Sequence, residues 1–109
     1  MVTVTLLKED GRPVGFHLVG HAEQGDPGED IVCSAISALA QTAVIGITQV
    51  AKISAGVSVE SGDLSCILDR DATEKQLEDG ALIIRVMEAG LSAIDQSYPN
   101  TLKITDREV

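Results

Sequence analysis

From Ile31 to Ala51 the chain carries no charged residue. A run of this length approaches the span of a bilayer, so its fates are few: a membrane crossing or a helix sunk into a protein core. The same run holds Ser34, Ser37, Gln41, Thr42, Thr48 and Gln49. Polar groups are costly to bury in hydrocarbon, which favours a helix inside a soluble domain and no membrane partner. Its apolar residues lie all round the helix, so cover is expected on most sides. A sheet would supply one side, and another helix or a second subunit another.

The flanking sequence supplies the sheet. Residues 2–7 alternate apolar and polar, a strand signal. A turn over residues 8–12 contains Asp10-Gly11, and residues 13–20 return with Val14, Phe16 and Leu18 on one face. Residues 23–29 hold two Gly, one Pro and three acids, which predicts a loop. The uncharged helix then runs from Ile31 to about Ser54, with Gly56 as its breaker. Residues 57–60 and 64–68 flank Ser61-Gly62-Asp63 as a second hairpin. Thr73 with Gln76, or Asp71 with Glu74, fits a capping box. Leu77, Ala81, Ile84, Met87, Leu91 and Ile94 follow at helical spacing, up to Tyr98-Pro99. Residues 101–105 make a last strand. The order is ββαββαβ. The class is α+β, a mixed or antiparallel sheet with a long buried central helix and one amphipathic helix.

Composition narrows the partners. The 109 residues form one domain, 1–109. Aromatics are 2%, Phe16 and Tyr98, so the core is aliphatic and platforms for stacking nucleic-acid bases are absent. Eight Lys/Arg against 17 Asp/Glu give a net charge of −9. Such a chain does not bind a phosphate backbone directly; it attracts basic partners. The two cysteines, Cys33 and Cys66, stand in a chain whose start reads as a strand and not a secretory signal. Reduced thiols and a cytoplasmic location are therefore expected.

The chemistry concentrates between Gly20 and Ser37. His21 ends a strand, an acidic loop with Glu23, Asp26 and Glu29 follows, and Asp30 is placed to cap a helix whose third residue is Cys33. A thiolate is the nucleophile. Bringing a free thiol from about 8.5 to about 7 needs roughly 2 kcal/mol of preference for the anion. A helix N-terminus supplies about 0.3–1 kcal/mol, about 2 at best. A protonated imidazole close by supplies the remainder, and His21 is near enough in sequence for the loop to fold it onto Cys33. Cys/His pairing is the activated-nucleophile arrangement of cysteine peptidases. The plainer alternative is a small buried thiol and a strand-end histidine.

The Gly20-His21-Ala22 triplet, Asp30 three residues before Cys33, and Ser37 four residues after it resemble the signature of the Prp family of ribosomal-processing cysteine proteases. The resemblance extends over the whole chain in size, hairpin start, uncharged helix and acidic character. Ser34 stands where the family more often has Ala. The resemblance implies a cytoplasmic cysteine endopeptidase that trims the N-terminal extension from ribosomal large-subunit protein twenty-seven. It also implies a homodimer with a flexible loop over the site and no cofactor. His21 matches the family's catalytic histidine and Cys33 its nucleophile. Gly20, Asp30 and Ser37 match motif positions beside them, as supporting or substrate-binding residues.

His17 and Cys66 read as structural, and a metal site from His17, His21, Cys33 and Cys66 lacks ligand spacing. Two other functions compete: a ribosome-associated module holding basic segments without cutting them, and a thiol redox sensor built on Cys33.

Overall fold

The computed structural model describes the backbone of residues 1–20 and 27–109 and the side chains of residues 1–20 and 31–109. Strands β1 (Val2–Glu9) and β2 (Arg12–Val19) lead to helix α1 (Pro27–Ile45), which continues into one π-helical turn, Gly46–Val50. Strands β3 (Ala55–Glu60) and β4 (Asp63–Leu68), helix α2 (Glu74–Ser97) and strand β5 (Leu102–Glu108) complete the chain. The order is the ββαββαβ read from the sequence, and the class is α+β.

The strands form one sheet in the order β3-β4-β2-β1-β5. Neighbours are antiparallel except β5, which runs parallel to β1 from Val2–Leu102 to Lys8–Glu108. That pairing carries β5 beyond the expected residue 105. The first hairpin closes at Asp10 and Gly11, with φ of 52° and 81°. Two consecutive left-handed residues make the primed turn whose twist matches its flanking strands, which is why Asp-Gly is favoured there.

One face of the sheet receives both helices. Val4 and Leu6 of β1, Phe16 of β2 and Cys66 of β4 are wholly buried, in a single cluster with Val32, Ile36, Ala40 and Ile47 from the first helix. From α2, Ile84, Met87 and Leu91 join the cluster, with Leu77 and Ile94 packed at its margin. The predicted amphipathic stripe is the buried one. Phe16 is the aromatic of the core, and Tyr98 is exposed.

Three boundaries differ from expectation. Helix α1 starts at Pro27, so Asp30 lies inside its first turn and is not the N-cap, and residues 27–29 leave the loop. Proline suits the first helical position, where its missing N–H would lack a partner anyway. The helical run also ends earlier, before Lys52, which takes φ 58°. This turn lets Ile53 enter the core, where it is 2% exposed. Gly56 is then a residue of β3 and not a breaker. Finally, α1 is less covered than its composition suggests. It is long and apolar enough to cross a bilayer, yet it packs one face into the core. Ser34, Ala38, Thr42 and Ile45 stay exposed on the other.

Thr73 settles the capping ambiguity. Its hydroxyl accepts from the Gln76 N–H at 3.1 Å, and its own N–H donates to Gln76 Oε1 at 2.9 Å. The adjoining Glu74 takes both guanidinium nitrogens of Arg12 and fastens α2 to β2. That contact holds the Glu74 carboxyl below its ordinary range. Thr73→Ala is expected to lower stability by about 1 kcal/mol, read as a shift of the urea midpoint at constant slope.

Candidate active site

The candidate residues sit at the end of the sheet where β2 stops and α1 begins. Gly20 follows β2 with φ 107°, and its N–H donates to the Gly62 carbonyl at 2.9 Å. A Cβ at this position would lie 2.5 Å from the Met1 carbonyl oxygen. Two facts therefore demand glycine here: a left-handed backbone and the close passage of β1. This matches the close backbone approach expected of Gly20.

Cys33 occupies the second turn of α1, because the helix starts at Pro27. Its neighbours Val32 and Ile36 are buried at 4% and 2%, which pins this stretch of helix to the sheet. Cys33 itself is half-buried and packs against the edge of the core. The expectation that Cys33 is the third helical residue is thus corrected by one turn. A helix dipole acts mainly over its first turn, so the preference for a thiolate there leans more heavily on a neighbouring cation.

Ser37 lies one turn beyond Cys33 on the same side of the helix and is exposed. Gly20 and Ser37 line one cleft, of about 410 Å³ counting its open mouth. The residue before His21 and the residue one turn after Cys33 therefore meet across a common space. His21, Glu23 and Asp26 lie outside the described residues, as do the side chains of Glu29 and Asp30. Sequence reasoning missed Gln41, Val59 and Gly62, which also line this cleft. Gln41 was within reach, because Cys33, Ser37 and Gln41 recur every four residues. Val59 and Gly62 enter through the β3–β4 hairpin, whose place beside α1 no local pattern announces.

The other polar residues have separate roles. His17 Nε2 meets Asp63 Oδ1 at 2.8 Å between β2 and β4, consistent with a structural part. Cys66 is wholly buried, and burial pushes its thiol up to about 11. Both cysteines are free thiols. Among the described residues no three His, Cys, Asp or Glu gather as a metal would require.

Residues 1–103 match the family model described as cysteine protease Prp. The chain belongs to the cysteine protease Prp family. Cysteine peptidase chemistry comes with that membership. The ribosomal processing cysteine protease Prp of Staphylococcus aureus is 25% identical over 108 residues, covering 95% of this chain and 97% of its own. The crystal structure of S. aureus Prp with a covalently linked product peptide superposes with a TM-score of 0.81 at 23% identity, covering 98% of this chain and all of that one. The same protein with a substrate peptide gives 0.82 at 22% identity and the same coverage. SMU.848 of Streptococcus mutans gives 0.82 at 23% identity, covering 100% of this chain and 99% of that one. These likenesses fix the shared fold along the whole chain.

Two outcomes are expected. At pH 8 about one Cys66 in a thousand is ionised, so iodoacetamide adds one group to the native protein, at Cys33. Cys66 reacts only after unfolding, and intact mass with peptide mapping reads both. Gly20→Ala is expected to lower stability by about 1–3 kcal/mol, measured by urea unfolding.

Proposed function

We propose that this chain is a cytoplasmic cysteine endopeptidase that removes the N-terminal extension of ribosomal large-subunit protein twenty-seven during ribosome maturation. The observation that carries the reading is the family match over residues 1–103, with a ribosomal processing protease as a full-length relative. Cys33 is the nucleophile and His21 its proton partner. The sulfur attacks the scissile carbonyl, His21 passes a proton to the leaving amine, and water hydrolyses the acyl-enzyme to restore the thiol. Gly20 holds the strand end before His21. Asp30 and Ser37 support the site or the bound substrate.

The charge of −9 suits a substrate with a basic N-terminal region, whose approach it favours electrostatically. The working unit is a homodimer. The uncharged outward face of α1 supports this, as do Leu82 and Val86, which are 61% and 65% exposed on α2.

The test is incubation of the purified protein with the extended ribosomal protein. A shortened product is expected, and an alkylating agent abolishes it. Cys33→Ala and His21→Ala each reduce the rate by about a thousandfold or more with the fold intact by circular dichroism. Salt-sensitive binding of the extended protein without any cut would instead identify a non-enzymatic module.

A further inference from the structure

The cleft beside Gly20 and Ser37 is built from two kinds of surface. Its floor is Val2, Leu18, Ile36, Ala40 and Leu64, all part of the main core cluster. Its walls are Ser37 and Gln41 from α1 and Val59 from β3, all exposed. Val59 pairs with Leu64 across the hairpin, so it faces the helix side of the sheet as Leu64 does. Neither helix covers it, and it stays 58% exposed. Glu60 and Asp63 border the cleft, but strand alternation directs their side chains to the opposite face. There Asp63 is engaged by His17. No Lys or Arg lines the space. A charged occupant would find no partner inside, whereas an aliphatic one would cover the apolar floor.

We infer that this cleft is a specificity subsite of the peptidase, seating one aliphatic side chain of an extended substrate within about two residues of the scissile bond. The inference rests on the proposed function and names what that site selects. Its position follows from helix and strand geometry. One turn of α1 separates Ser37 from Cys33, a rise of about 6 Å. An extended peptide advances about 3.3 Å per residue. A side chain at the level of Ser37 therefore belongs to a residue about two steps from the carbonyl that Cys33 attacks. Gln41 offers one acceptor and an NH₂ donor pair, the complement of a peptide group, and so aligns the substrate backbone without reading its sequence.

The experiment uses a positional library of internally quenched decapeptides. Each pool fixes one position as Leu, Ala, Lys or Glu and mixes the others. With wild-type protein, one position near the cut is expected to favour Leu over Ala by about tenfold or more in kcat/KM, from the extra apolar surface covered. Lys and Glu fall with or below Ala. Val59→Lys changes an exposed edge-strand residue and brings an ammonium to the mouth. It is expected to erase the Leu preference at that position while leaving the ratios at the other positions unchanged. A Leu preference that survives Val59→Lys, or a preference for Lys or Glu there, overturns the inference. If wild-type protein cuts no pool, the peptidase reading has failed, and binding then judges the cleft separately. The ¹⁵N-labelled Cys33→Ala protein is titrated with the same pools. Amide shifts of Ser37, Gln41 and Val59 that follow the Leu-fixed pools uphold the subsite; shifts elsewhere, or none, overturn it.

Discussion

Everything in this molecule depends on α1 lying against the sheet without a charge along its length. Val32, Ile36, Ala40, Ala43 and Ile47 descend into the core from one side of the helical run. Fully burying an aliphatic side chain of the larger kind contributes about 1.5–3 kcal/mol, so this row holds the helix firmly. Cys33 sits between two of these anchors. Its position is fixed by packing that has no chemistry of its own, which is how a rigid scaffold positions a reactive group.

The sheet end completes the arrangement through backbone contacts. Gly20 can pass close to Met1 and bond the Gly62 carbonyl only because it lacks a Cβ. The same stretch brings β1, β2 and the β3–β4 hairpin to the first half of α1. The resulting cleft has the main core as its floor and an open mouth beside the cysteine's helix. A change in the hairpin would thus reach the site as directly as a change in α1. The two thiols show how position alone separates reactive from inert chemistry. Cys66 is sealed beneath the helices and Cys33 stands at the core's edge.

Much of this was legible in the chain. The alternation in β1 and β2, the Asp10-Gly11 turn and the stripe from Leu77 to Ile94 are local signals, each reporting one element's own preference. Gly20, Cys33 and Ser37 were legible as motif positions because their spacing is tied to one strand end and one helix. The start of α1 was misread because Asp30 competes with Pro27 for the role of first signal, and proline at a first helical position outweighs a later carboxylate. The end was misread because Gly56 is the stronger breaker on paper. Burial of Ile53 imposes the turn at Lys52 instead, a tertiary demand overriding local propensity.

By itself the sequence determined the list of elements, the aliphatic core, the acidic surface and the family signature around Gly20 and Cys33. These are properties of short segments or of totals, and neither needs to know what lies next to what. Only the tertiary structure decided that β5 joins β1 in parallel, that β3 forms an edge left uncovered by the helices, and that Val59, Gln41 and Gly20 enclose one cleft. Such facts depend on contacts between residues distant in the chain. Their physical cause is the shared burial of one apolar sheet face under two helices, which no single segment encodes.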